Sequence, residues 1–240
     1  MRLTDFKVLT FDCYGTLIDW ESGMFEALRQ LVAKAGRKLT RDEILEAHAR
    51  HESSQQLTTP AKRYNELLAV VYKRLAEEWA VPVGWDECID YGRTVGDWPA
   101  FSDTVAALRY LKQYYKLVIL SNVDNASFAF SSRKLGVAFD AVFTAEDIGS
   151  YKPSPRNFEY MLEKLAARGI AKADILHTAE SLFHDHAPAN GFGLASCWIH
   201  RRHEQGGFGA TMNPEKTPHT DFRFTSMAEM AKAHRETAGG

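Results

Sequence analysis

The sequence is poor in cysteine. It has three in 240 residues, Cys13, Cys88 and Cys197, widely spaced and with no CxxC pair or Cys/His ligand spacing. That argues against a disulfide framework and a thiolate metal cluster, and it points to free thiols in a reducing compartment. No uninterrupted apolar run approaches the roughly 20 residues that cross a bilayer. The N-terminus, MRLTDFKVLTFD, meets acidic residues too early to form the apolar stretch of a secretory leader. A cytoplasmic location is therefore expected. A strong charge of either sign is missing too: the formal net charge is -2, so neither nucleic acid nor an anionic membrane surface is an expected partner. What the chain does have is material for a core. Its 45% hydrophobic and 25% charged residues are ordinary globular composition, ample at this length for one large domain or a core with an insert.

Two kinds of pattern divide the chain. Residues 6–14, FKVLTFDCY, form a short apolar, β-branched run of the type buried on both faces of a sheet. From about 21 to 95 the text turns helical: Met24, Phe25, Leu28, Leu31 and Val32 recur near a 3.6-residue period, as do Tyr64, Leu67, Leu68, Val71 and Leu75. Thr40 followed by Glu43 has the form of a capping box. After Trp98-Pro99, strand-like runs at 116–122, 140–147, 174–180 and 195–200 alternate with helical stretches around 103–114, 126–135, 155–168 and 185–192. Such alternation implies βαβ units and a parallel sheet. The expectation is an α/β fold: a Rossmann-like core from residues 1–17 and 96–240, with a helical cap, 18–95, inserted after the first strand. The stretch 201–220 reads as a long loop before a short strand, DFRFTS, and a last helix.

Ligands in an open parallel sheet bind beyond the carboxyl ends of the strands. Those ends carry Asp12-Cys13-Tyr14-Gly15-Thr16, then Ser121-Asn122, then Lys152 in SYKPSP, and finally Glu180 and Asp185 in AESLFHD. An aspartate is a useful nucleophile when ionised, partly desolvated and held beside a cation. Asp12 with Lys152 meets that description. Gly15 permits a sharp turn after the nucleophile, and Thr16 offers a hydroxyl to orient a carboxylate or anion. Taken alone, Asp12 could equally be a helix-capping acid at a strand–loop–helix junction.

The segments FDCYGTLID, ILSN, SYKP and AESLFHD, in this order, resemble the four motifs of the haloacid dehalogenase superfamily. The similarity covers roughly residues 7–17 and 115–200, and the helical insert sits where that superfamily carries its cap. Within it, phosphatases usually hold a second aspartate two residues after the nucleophile to protonate a leaving alcohol; this chain has Tyr14. A tyrosine with an ordinary pKa near 10 is a weak replacement, whereas a halide departs without a proton. The DxYGT pattern is therefore similar to that of the L-2-haloacid dehalogenases, which need no metal.

That resemblance implies a small halogenated carboxylic acid as substrate and no cofactor. Asp12 would attack the carbon bearing the halogen to give an aspartyl ester, and water activated by Asp185 would cleave it. Lys152 would steady the charge of Asp12, with Thr16 in support. Ser121 and Asn122 would hold substrate carboxylate and halide, with Cys13, Tyr14, Phe158 and His184 completing the pocket. Arg50, or Arg63, would stand for the halide-binding arginine of the cap. Some positions depart from the pattern. Phe158 stands where those dehalogenases have tyrosine, and Glu180 and Leu182 replace serine and asparagine. His184 aligns with an aromatic of the halide cradle.

Glu180 and Asp185, five apart, suit the alternative of a Mg²⁺-dependent phosphatase-like hydrolase. There Asp12, the Tyr14 backbone, Glu180 and Asp185 would hold the ion. A non-catalytic binding protein on the same fold is the alternative of another class. Of the other notable residues, His177 reads as a core residue or a support for the site, His184 and His186 as neighbours able to tune Asp185, and His200 and His203 as solvent-facing. Trp20 lies close enough to the first motif to line the pocket, and the apolar stripes of the cap suit core packing or a homodimer face.

Overall fold

The computed structural model describes residues 1–238. Six strands form one sheet in the order β3-β2-β1-β4-β5-β6, and every pairing is parallel. They are β1 (Val8–Phe11), β2 (Lys116–Ser121), β3 (Ala141–Thr144), β4 (Ile175–Ala179), β5 (Ala195–Ile199) and β6 (Phe222–Phe224). The strands thus fall within the runs expected from their apolar, β-branched text. β1 is buried along its whole length, as a strand covered by helices on both faces must be. Its alternate side chains part company accordingly. Leu9 and Phe11 join the larger core cluster, while Val8 packs in a second one with Phe158, Met161 and Leu165. Each large apolar side chain so buried contributes about 1.5–3 kcal/mol.

The helices α1 (Trp20–Ala35), α2 (Arg41–Thr58), α3 (Tyr64–Glu78) and α4 (Trp85–Arg93) follow β1, and α5 (Thr104–Leu111) precedes β2. The four are the inserted cap. Asp19 caps α1 by accepting from the Ser22 N–H at 3.1 Å. The Thr40–Glu43 capping box opens α2 as its spacing foretold. α1 and α3 bury apolar stripes, whereas α2 turns a polar row inward: His48, Glu52, Gln55 and Gln56 are all buried. Cap and core are tied together by polar contacts. The Asn65 N–H donates to Asp124 Oδ2 at 3.1 Å, and Arg202, in the loop after β5, pairs with Glu21 of α1 at 2.6 Å and Asp42 of α2 at 3.1 Å.

On the core side, α6 (Asn125–Leu135), α7 (Ala145–Ile148), α8 (Pro155–Ala166), α9 (Ala187–Gly191) and α10 (Met227–Ala238) complete the chain. The helix expected over 185–192 differs in detail. A single π-helical turn, Leu182–His186, precedes α9, and such turns concentrate at functional sites. The 201–220 stretch is a loop of turns, held to α1 where Glu21 Oε1 accepts from the Ala210 N–H at 3.0 Å. Among the described residues no helix is long and apolar enough to cross a membrane.

Candidate active site

Because β1 lies between β2 and β4, the loops leaving the carboxyl ends of all three strands meet at one place. Phe11 is level with Ile119 of β2 and Thr178 of β4, so Asp12, Ser121 and the segment from Glu180 onward emerge side by side. The Asp12 N–H still donates to Thr178 O at 3.1 Å, and the chain then turns sharply. Gly15 adopts φ +96°, a value an L side chain resists. A Cβ there would also come within 3.0 Å of Trp20 Nε1.

The Lys152 ammonium is the hub. Wholly buried, it donates to Asp12 Oδ1 at 2.9 Å, Asp185 Oδ1 at 2.7 Å and Leu120 O at 2.9 Å. An ammonium has three N–H donors, so Lys152 has none to spare. Asn122 fixes its backbone from both sides: Oδ1 accepts from the Lys152 N–H at 2.7 Å, and Nδ2 donates to the Lys152 carbonyl at 3.0 Å. Thr16 Oγ1 donates to Asp12 Oδ2 at 2.8 Å and accepts from the Glu180 N–H at 2.9 Å.

Asp185, on the π-helical turn, receives His177 Nε2 on the same Oδ1 at 3.0 Å. Thr10 Oγ1 stands 2.9 Å from His177 Nδ1. A proton on Nε2, with Nδ1 accepting from the Thr10 hydroxyl, satisfies both contacts. Asp185 Oδ2 is buried and has no partner.

These contacts set the charge states. Burial raises the pKa of Asp12, and Lys152 opposes it. Burial would lower Lys152, but the two carboxylates outweigh it and hold the ammonium charged above its ordinary range. Asp185 is also penalised by burial, yet Lys152 and His177 hold it well below the usual carboxylate range. His184 is pushed down to about 4, chiefly by burial, and is neutral at pH 7. Burial takes the Tyr14 hydroxyl well above 10, and it is engaged with Ser131 Oγ at 2.8 Å. It is a poor proton donor to a leaving group.

Of the residues expected from sequence, Asp12, Thr16, Lys152 and Asp185 converge, and Tyr14, Ser121, Asn122 and His184 line the same pocket with Trp20. Ser121 Oγ is buried without a partner. Four expectations are corrected. Cys13 turns into the core instead of the pocket. Phe158 packs beneath the site, its ring 5.1 Å from that of His177 and 5.9 Å from that of Phe192. Arg50 points to the outer side of the cap, where it pairs with Glu78 at 2.7 Å and stays 57% exposed. Its substitute Arg63 pairs with Glu146 at 2.9 Å, equally exposed.

The fourth concerns Glu180, whose side chain lies on a separate cavity of about 110 Å³ beside Asp19, Glu21, Arg201 and Arg202. Burial and the neighbouring acids raise its pKa to about 8. Among the described residues no three His, Cys, Asp or Glu side chains are grouped to hold a metal. The space between Asp12 and Asp185 holds an ammonium group. The Mg²⁺ ligand set of Asp12, Tyr14 backbone, Glu180 and Asp185 therefore does not fit this arrangement.

The pocket has walls that the motifs did not announce: Glu52 and Gln56 of α2, Tyr64 of α3, and Thr211 from the long loop. Its cavity volume is about 30 Å³, room for about one or two waters. One signal for the α2 wall was present in the text. His48, Glu52 and Gln56, spaced i, i+4, i+8, form one stripe whose buried side chains are polar.

The family model for haloacid dehalogenase-like hydrolases matches residues 6–178. Among solved structures, the L-2-haloacid dehalogenase PA0810 superposes with a TM-score of 0.76 at 22% identity, over 98% of this chain and 100% of that one. An L-2-haloacid dehalogenase from Xanthobacter autotrophicus superposes with a TM-score of 0.75 at 17% identity, over 96% and 98%. The latter has also been solved with chloropropionic acid covalently bound. A third structure, described as the HAD-hydrolase YfnB from Bacillus subtilis bound to magnesium, gives a TM-score of 0.72 at 19% identity over 99% and 100%. At such identities the likeness is one of fold. No curated protein sequence matches the chain. The family model spans more than two thirds of the sequence and takes in Asp12 and Lys152, and the chain belongs to the haloacid dehalogenase-like hydrolases.

Proposed function

We propose that the protein is a hydrolytic dehalogenase of small 2-halocarbonyl compounds, the class that includes the 2-haloacids named for its structural neighbours. The observation that carries this reading is the Asp12–Lys152–Asp185 arrangement. It offers one carboxylate, oriented by Thr16 and Lys152, for attack on carbon. It keeps a second, with Oδ2 buried and free, for attack by water.

In the first step an Asp12 oxygen bonds to the halogen-bearing carbon, and the carbon–halogen bond breaks with its electron pair leaving on the halide. No proton is required, which suits a site where Tyr14 holds its hydroxyl on Ser131. The pocket offers donors for the departing halide or for a substrate oxygen. One is the unpartnered Ser121 hydroxyl. Another is the His184 ring when its proton sits on Nε2, with the Ser181 hydroxyl, 3.1 Å from Nδ1, donating to that nitrogen.

In the second step Asp185 Oδ2 takes a proton from water as the water oxygen attacks the ester carbonyl of Asp12. The charge that develops on that oxygen is met by the Lys152 ammonium, already in place and needing no reorganisation. Collapse expels the product alkoxide, which takes the proton back from Asp185 and leaves as the 2-hydroxy product, and the second proton of the water passes from Asp12 to solvent, restoring the carboxylate and matching the halide released.

A metal has no role in this sequence. The reading is tested by measuring halide release from 2-haloacids and their derivatives with and without EDTA, with p-nitrophenyl phosphate and Mg²⁺ in parallel. Halide release insensitive to EDTA and absent from Asp12→Asn is the expected result. Phosphate release that needs Mg²⁺, with no halide from any compound, would replace the reading with the phosphatase one.

A further inference from the structure

The cap wall of the pocket carries an acid where binding of an anion would call for a base. Glu52 is 6% exposed and lines the same cavity as the catalytic carboxylates. It is held there from its own helix. Gln56 Nε2 donates to its Oε1 at 2.9 Å, while His48 Nδ1, 3.3 Å from Oε2, makes no hydrogen bond. The lining contains no arginine, and its one lysine is Lys152, whose three N–H groups already serve Asp12, Asp185 and Leu120.

Arg50 and Arg63 of the cap are paired with Glu78 and Glu146 away from the cavity. His184 is neutral. In the reacting state, with Asp12 ionised, the lining presents three carboxylates against one ammonium. Like charges gathered in a poorly solvated space repel strongly, and a substrate carboxylate would add a fourth.

The geometry points to Glu52 as the specificity-determining residue of this pocket. It selects a 2-halocarbonyl substrate whose non-reacting end is a neutral hydrogen-bond donor, a 2-haloamide, over the corresponding 2-haloacid. An amide NH₂ brings two donors and no charge, and the Glu52 carboxylate accepts them. The carbonyl oxygen is left for Ser121 Oγ–H. The reacting end is unchanged, so the inference rests on the Asp12 alkylation chemistry proposed above.

The test compares 2-chloropropionamide with 2-chloropropionate, each corrected for its own uncatalysed rate with acetate, on the wild-type chain and on Glu52→Gln. The wild type is expected to favour the amide in kcat/KM by at least about tenfold. Glu52→Gln is expected to raise kcat/KM on the acid and lower it on the amide, collapsing the ratio. A merely structural role for Glu52 would lower both together and leave the ratio alone.

Calorimetry on the wild type with isobutyramide and isobutyrate, which lack a leaving group, reads the same preference without turnover and without a variant. A wild type that favours the acid in both assays, or that binds neither analogue, overturns the inference. If neither chloro compound releases halide or alkylates Asp12 by mass spectrometry, the dehalogenase reading fails, and the analogue preference still decides the role of Glu52.

Discussion

Asp185 gives Lys152 only one of its two oxygens. Oδ1 accepts the ammonium at 2.7 Å, while Oδ2 is buried with no partner. A buried carboxylate oxygen without a hydrogen bond costs on the order of 1–3 kcal/mol, and native structures retain such atoms for a reason. Here Oδ2 belongs to a pocket-lining residue beside the nucleophile. The division of labour separates the two carboxylates: Asp12 has both oxygens oriented, by Lys152 and Thr16, and Asp185 keeps one for water.

Asp185→Asn is therefore expected to pass the first step and stall at the second. The amide cannot take a proton from water, so the ester should accumulate on Asp12 and appear as a mass increase on the peptide containing it. The same variant carries a pH prediction. Asp12 is raised by burial, and the charge of Asp185 adds to the rise. Alkylation needs the ionised form, so its rate falls as pH drops through the Asp12 pKa. Removing the Asp185 charge lowers that pKa, and the acid limb of single-turnover alkylation should move to lower pH than in wild type. A limb that stays in place, or moves up, would show that Asp185 does not act on Asp12.

Replacing Lys152 by alanine should cost activity by orders of magnitude and stability as well. It leaves Asp12 and Asp185 buried without their cation, a loss of about 3–5 kcal/mol, or roughly 6–20 °C in Tm for a chain of this size. The sign of the pH dependence follows. Without the ammonium both carboxyls titrate above their unfolded values, so the variant holds its stability at low pH and loses it as pH rises. The Tm gap from wild type should be smaller at pH 5 than at pH 8, by circular dichroism. Near-wild-type kcat in this variant would mean that another group compensates the charge.

Much of this was legible because strand text and strand-end text carry different information. The buried run around Val8–Phe11 could only be a covered strand, and its end had to be a ligand-binding edge. Asp12, Ser121, Lys152 and Asp185 were thus within reach of sequence alone. The cap wall was not. α2 contributes to the site through side-chain direction, and the polar stripe of His48, Glu52 and Gln56 marks one face without saying that it, and not the face of Arg50 half a turn away, lines a site. Arg50 was the attractive reading on chemistry, yet Glu78 draws it to the outside, and Glu52 takes the inward place. Glu180 illustrates the same limit at short range. Its backbone N–H serves Thr16 while its carboxyl lies on another cavity.

That separate placement makes Glu180 a stability probe. Its carboxyl is raised from 4.5 to about 8, so the folded protein keeps this proton at neutral pH while the unfolded chain gives it up. Below pH 4.5 both states are protonated and nothing is lost. From there to about pH 8 stability declines as pH rises, and above that the loss is complete. Glu180→Gln removes the titration. Its Tm relative to wild type should increase between pH 5 and pH 8.5, and a constant difference across that range would place the Glu180 pKa near its ordinary value.

The order of bond making offers the most direct check on Asp12. If its carboxylate attacks carbon, the oxygen delivered to the first product comes from Asp12 itself, because the ester is later cleaved at its carbonyl carbon. The solvent oxygen then enters the aspartate. A single turnover in H₂¹⁸O with enzyme in excess should label the peptide containing Asp12 and leave the first product unlabelled. Over many turnovers the label should reach product through the exchanged carboxylate. If water instead attacked the substrate directly, with Asp12 only a base, the first product would be labelled and Asp12 would not. The geometry favours the first outcome. Asp12 is fixed by Lys152 and Thr16 as an oriented nucleophile, and a separate base is supplied by Asp185. A substrate already shown to release halide must be used, since phosphoryl transfer to Asp12 would place label in the aspartate or in phosphate according to which bond water cleaves. Labelled first product with an unlabelled Asp12 would end the covalent mechanism for this protein.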